Sequence, residues 1–106
     1  MRDVINSLKQ QCHQTAVDKG FLDTPRSDGE CIALMHSELS EALEYLRAGD
    51  NVPSDHIPFL GVEEEMADVL IRVFDFCEVH SLDLAGALEA KMEFNKTRPY
   101  KHGKKM

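Results

Sequence analysis

Residues 62–80, VEEEMADVLIRVFDFCEVH, restrict what this chain can fold into more than any other stretch, because they read as a helix with almost no face fit for water. At ~100° per residue, Val62, Met66, Val69, Leu70, Val73, Phe76 and Cys77 form a broad apolar arc, and Ala67, Ile71 and Phe74 carry it round the back. A buried strand over 69–76 is the rival reading. It fails because the run is too long, opens on three glutamates and shows no period of two. A helix so apolar is expected to be buried. One narrow polar strip remains, in which Glu65, Asp68, Arg72 and Asp75 follow at spacings of three, four and three. Carboxylates set in an apolar wall repel one another and are costly to desolvate, so they must be protonated, paired with cations or neutralised by a metal. Arg72 neutralises one of them, and the others need something the strip lacks.

The rest of the chain supplies helices to cover this one. Val4, Ile5, Leu8, Cys12 and Ala16 give residues 3–19 an apolar stripe, and Gly20 is a natural stop. Ser27 with Glu30 three residues on is a capping-box signature for a second helix ending near Ala48, with Ile32, Met35, Leu39, Ala42, Leu43 and Leu46 expected toward the core. Residues 51–61 hold Pro53 and Pro58 and no period, so they form a long loop. Ser81 or Asp83 caps a fourth helix whose face is Leu84, Leu88, Lys91, Met92 and Asn95, closing before Pro99, and an irregular tail follows from about residue 98. The expectation is a single all-α domain over 1–106, a bundle of four main helices.

Charge and cysteine usage narrow the function classes. A net charge of -7 argues against a general nucleic-acid surface, which needs clustered Lys and Arg. The only basic cluster is the tail, with Lys91, Lys96, Arg98, Lys101, Lys104 and Lys105. Cys12, Cys31 and Cys77 are an odd count on separate helices, which points to thiols in a reducing cytoplasm rather than a disulfide framework. No run is long and apolar enough to span a membrane. Cys77 and His80 make half of a zinc spacing with no second half, no Glu-x-x-His pair suggests di-iron, and no Gly-rich phosphate loop is present.

The second helix repeats the anomaly of the third. Glu38 falls within the apolar arc between Leu34, Tyr45 and Ala42, and Glu41 lies three residues on at the arc's margin. Acidic pairs at this spacing arise by chance roughly three times in a chain this acidic. Four occur: Glu38/Glu41, Glu41/Glu44, Glu65/Asp68 and Asp75/Glu78. Spacing alone therefore carries nothing, and only placement inside apolar arcs singles out Glu38/Glu41 and Glu65/Asp68. Two readings stay open: core salt bridges to Arg72, Arg47 or Lys91, or a metal site. Carboxylates without paired His or Cys suit a hard cation, Mg²⁺ or Mn²⁺, which keeps waters and takes phosphate oxygens. Lys91, Asn95 and Arg98, at spacings of four and three, fit anionic oxygens as well as they fit a salt bridge and a helix-end cap.

Together these residues resemble the MazG-like branch of the all-α NTP pyrophosphatases. That family is marked by Glu-x-x-Glu, a gap, then Glu-x-x-Asp, and Glu38-Leu-Ser-Glu41 and Glu65-Met-Ala-Asp68 match it across the 23 residues 42–64. Ala-Asp68-Val-Leu-Ile-Arg72 and the closing Lys91-x-x-x-Asn95-Lys-Thr-Arg98-Pro-Tyr-Lys-His-Gly-Lys extend the likeness over about 30–104. The resemblance implies Mg²⁺-dependent hydrolysis of a nucleoside triphosphate between the α and β phosphates, giving a monophosphate and pyrophosphate in nucleotide-pool house-cleaning. It implies Glu38, Glu41, Glu65 and Asp68 as metal ligands, Glu41 as the residue that orients or deprotonates water, and Lys91, Asn95 and Arg98 as contacts to phosphate or sugar. It also implies a homodimer or a tetramer of paired dimers, which agrees with a third helix too apolar for so small a chain to cover. Base preference stays open: Phe21, Phe59, Tyr100 and the 51–61 loop either stack a base or simply pack. The alternative is a non-enzymatic helical dimerisation module in which the acids make structural ion pairs.

Overall fold

The computed structural model describes residues 1–103, with side chains as far as Lys101. Lys104 and Lys105 of the basic tail lie outside the described residues. The chain forms four helices, α1 Arg2–Asp18, α2 Asp28–Ala48, α3 Gly61–Val79 and α4 Leu84–Thr97, followed by a 3₁₀ turn at Tyr100–Gly103 where an irregular tail was expected. Among the described residues there is no strand, only an isolated antiparallel bridge between Pro53 and Leu60.

Helix ends follow local chemistry. Ser27 Oγ accepts the Glu30 amide at 3.1 Å, and the Glu30 carboxylate accepts the Ser27 amide at 3.4 Å, a complete capping box. At α4 the cap is Asp83, whose Oδ1 accepts the Gly86 amide at 2.9 Å, while Ser81 sits in the turn at a φ of 53°. After α1, Gly20 takes a φ of +78°, and the Phe21 amide reaches back to the Ala16 carbonyl at 3.0 Å.

α3 lies between α1 and α2 and runs antiparallel to both. On one side His13 meets Asp75 at 2.9 Å and Lys9 approaches Glu78 at 3.9 Å, around a small core of Ala16, Phe74 and Cys77. On the other, Arg72 meets Glu38 at 3.0 Å, and His80 meets Asp28 at 2.9 Å. α4 turns back against α1 through Arg2, which pairs with Asp83 and Glu89, and through Lys9, whose buried Nζ donates to the Leu82 carbonyl at 2.6 Å.

This arrangement leaves α3 less covered than its composition implies. Met66, Leu70 and Ile71 are exposed, and on α2 so are Ile32, Leu39, Leu43 and Leu46, four residues expected in the core. They form a single stripe on α2, about 110° round the helix from the Glu38, Ala42 and Tyr45 face that meets α3. The radius of gyration, 16.2 Å, agrees with an open arrangement, since a globule of this length has about 13 Å. The reason is topological: α4 has docked on α1 and leaves the leucine stripe without cover inside one chain. Among the described residues no helix is long and apolar enough to cross a membrane.

Candidate metal centre

The two helices with acidic anomalies are the two whose faces meet. Glu38 on α2 and Glu65 and Asp68 on α3 each bring a carboxylate oxygen within 4.8 Å of the others, and they are the described residues that can hold a metal ion. Glu38 and Glu65 are buried at 9% and 6% exposure, and Asp68 is half-buried. Arg72, one helical turn beyond Asp68, sends Nε and Nη2 to the same oxygen of Glu38, each at 3.0 Å, so the second Glu38 oxygen stays outside the ion pair. Asp75, the last acid of the strip, has turned to His13 on α1.

Electrostatics separates the three acids. Burial, a proton-sharing contact with Glu38 and Glu41, and their charges push Glu65 up to about 8. Its Oε2 is wholly buried with no hydrogen-bond partner among the described residues. Burial works on Glu38 too, but the Glu65 contact and the Arg72 guanidinium outweigh it and lower its pKa. Asp68 is raised by burial and by the charges of Glu38 and Glu64, against the pull of Arg72. Three carboxylates and one guanidinium leave two negative charges in a confined space. Either a proton on Glu65 or a divalent cation relieves them, and the all-oxygen donor set suits a hard ion such as Mg²⁺ or Mn²⁺. With the acids ionised, Glu65 Oε2 is an acceptor that meets no donor among the described residues, so the residues fit a cation.

Glu41 stands beside this trio but is exposed, near enough to share a hydrogen bond with Glu38 and Glu65 and for its charge to act on Glu65 and Asp68. The α4 residues are elsewhere. Lys91 Nζ and the Arg98 guanidinium lie over the Phe94 ring at 4.7 and 5.5 Å, Arg98 having left the helix as its C-cap. Neither Lys91 nor Asn95 forms a side-chain hydrogen bond or ion pair with the acids among the described residues, and both are exposed.

Three features beside the centre were not foreseen. Glu64 fastens the 51–61 loop, taking a hydrogen bond from Ser54 Oγ at 2.6 Å and meeting His56 Nδ1 at 3.0 Å. The Tyr45 ring packs on Gly61 at the start of α3, and its hydroxyl is raised by burial and by the charges of Asp55, Glu64, Glu65 and Glu41. An open cavity of about 400 Å³ lies on the far side of Arg72, lined also by Arg26, Glu30, Ala33 and Leu34. Glu64 was visible in the triple-glutamate run and Tyr45 one turn past Glu41. Nothing in the sequence joins Arg26 to Arg72. The expected base-stacking candidates are exposed, and Phe59 lines a second cavity of about 460 Å³ with Pro53, Ile57 and Pro58. The Cys77 thiol is buried and its pKa raised by that burial, while His80 is taken by Asp28, which removes the half zinc spacing. Comparison with family models, curated proteins and solved structures finds no match to this chain.

Proposed function

We propose that this chain is a divalent-cation-dependent nucleoside triphosphate pyrophosphohydrolase of the MazG-like kind, working as a homo-oligomer. The observation that carries the reading is the cluster of buried Glu38 and Glu65 with half-buried Asp68, in which Glu65 Oε2 meets no N–H or hydroxyl donor among the described residues. A core ion-pair network balances its charges, and here a single arginine faces three acids.

In this reading Glu38, Glu65 and Asp68 hold Mg²⁺, with Glu41 at the margin as a further ligand; Mn²⁺ fits the same oxygens. When bound there, the ion would neutralise the triphosphate and the charge that develops during phosphoryl transfer. Arg72 holds the Glu38 carboxylate in place from behind. Glu41, exposed next to the buried trio, is positioned to take a proton from an attacking water. Attack at the α phosphorus breaks the bond to the bridging α–β oxygen, and the products are a monophosphate and pyrophosphate. Lys91 and Asn95, which make no contact with the acids among the described residues, would with Arg98 serve phosphate or sugar oxygens of the substrate, and the exposed stripe on α2 with Met66 and Leu70 on α3 would be the contact between copies.

The Arg72–Glu38 pair favours the other reading, a helical interaction module with structural ion pairs. It neutralises one acid, and among the described residues neither Glu65 nor Asp68 forms an ion pair of its own. The test is release of pyrophosphate and matching monophosphate from a panel of NTPs and dNTPs with Mg²⁺ and again with EDTA. Metal-dependent release is expected. No release from any nucleotide by a folded sample would favour the interaction module.

A further inference from the structure

The seam that holds the acids continues one turn toward the 51–61 loop, where an aromatic ring meets a glycine. On α2, Glu38, Glu41 and Tyr45 stand at i, i+3 and i+7; on α3, Gly61, Glu65 and Asp68 stand at i, i+4 and i+7, and each set occupies one helix face. The helices are antiparallel, so Tyr45 falls opposite Gly61 as Glu38 falls opposite Arg72. The ring lies directly on the glycine. A Cβ added at Gly61 would overlap Tyr45 Cδ1 and Cε1 outright and come within 2.5 Å of Cζ.

Gly61 has no room to withdraw. It is buried, its amide donates to the Val52 carbonyl at 2.8 Å, and the preceding Leu60 amide is held by the Glu63 carboxylate at 2.9 Å. Ser54 and His56 pin the same loop to Glu64 in the first turn of α3. The start of α3 is therefore fixed, and any added bulk must displace Tyr45, whose ring is what α2 sets against α3 at this level. Glu65 is only four residues, about 6 Å, from Gly61 along the axis. A separation at the glycine is felt directly at the carboxylates.

We infer that Gly61 and Tyr45 are a positioning pair, in which a ring seated on a bare backbone sets how closely α2 approaches α3 and so fixes the distance from Glu38 to Glu65 and Asp68. The inference deepens the proposed metal centre and rests on it for its functional meaning. Alanine is a better helix former than glycine, so damage from Gly61→Ala cannot come from the propensity of α3. It must come from the interhelical contact.

The experiment uses the full chain with Gly61→Ala, Tyr45→Ala and the double variant. Binding of Mn²⁺ is followed by the electron paramagnetic resonance of the free ion at 10 °C, with helicity monitored by circular dichroism. Gly61→Ala should stay helical yet bind Mn²⁺ at least ~10-fold more weakly, the size of loss typical when the support of a ligand shell is disturbed. The double variant, with the ring removed, should recover most of that loss. A contact that only stabilises the fold would lower the unfolding temperature and leave Mn²⁺ affinity at 10 °C unchanged; that result would overturn the inference. Absence of Mn²⁺ binding by the parent chain would instead defeat the metal reading. The pair is judged separately by the crystal structure of the metal-free Gly61→Ala chain, in which an unchanged Glu38 to Glu65 separation would refute it.

Discussion

Replacing Glu65 by Gln should abolish most of the dependence of stability on pH between 5 and 8 in the metal-free protein. In the folded chain Glu65 titrates near 8, against an ordinary value of 4.5. A carboxyl raised in this way binds its proton more tightly when folded, so its contribution is full below the ordinary value and is lost as pH rises toward 8. Each pH unit in that window weighs ~1.4 kcal/mol, and the loss from pH 5 to pH 8 is on the order of 4 kcal/mol. Glu65 is 6% exposed, so solvent screens little of this. Glu38 shifts downward, and its effect falls below pH 4.5, outside the window, while Asp68, raised from 3.8, works in the same direction as Glu65 and remains in the Glu65→Gln chain as a smaller residual slope. Glutamine reproduces the protonated carboxyl: it fills the same space and can still donate toward Glu38 and Glu41. The assay is urea unfolding in EDTA at fixed protein concentration, across pH 5 to 8, for both chains. They should differ by no more than about 1 kcal/mol at pH 5, with the Glu65→Gln chain favoured by about 4 kcal/mol at pH 8. Mg²⁺ added at pH 8 should restore much of the parent's stability and do little for the variant. A difference that stays constant with pH, or a parent that grows more stable toward pH 8, would refute the electrostatic account of this site.

Other substitutions probe other parts of the reading. Asp68→Asn should reduce Mg²⁺-dependent pyrophosphate release by at least ~100-fold with the helical spectrum intact; retention of full activity would remove Asp68 from the site. Ser27→Ala deletes the side-chain half of the α2 capping box and should cost about 1 kcal/mol in urea unfolding, and no change would mean that the box is idle in solution. Leu43→Glu, in the exposed stripe of α2, should shift sedimentation from an oligomer to a monomer. Unaltered sedimentation would place the contact between copies elsewhere.

Local chemistry was legible in the sequence because it is decided over three or four residues. The Ser27/Glu30 box, the Asp83 cap, the glycine after α1 and the apolar period of residues 62–80 each fix a helix or its end with groups that are neighbours in the chain. The same period placed Glu38 and Glu65 within apolar arcs, and that marked the acids worth following. Which side of each helix meets which neighbour was not legible, because a period locates an apolar stripe without saying what covers it. So Leu39, Leu43 and Leu46, which carry the greater hydrophobicity, face outward, while the face with Glu38, Ala42 and Tyr45 meets α3. Only the tertiary structure gives Arg72 to Glu38, Asp75 to His13 and, among the described residues, no donor to Glu65 Oε2. These assignments depend on the approach of helices whose contacting residues lie 16 to 62 positions apart, from Tyr45 and Gly61 to His13 and Asp75. Desolvation grows with that approach, and together with the neighbouring acids and Arg72 it separates four similar acids: Glu65 is raised, Glu38 is ion-paired and lowered, Asp68 is half-buried and Glu41 is left exposed.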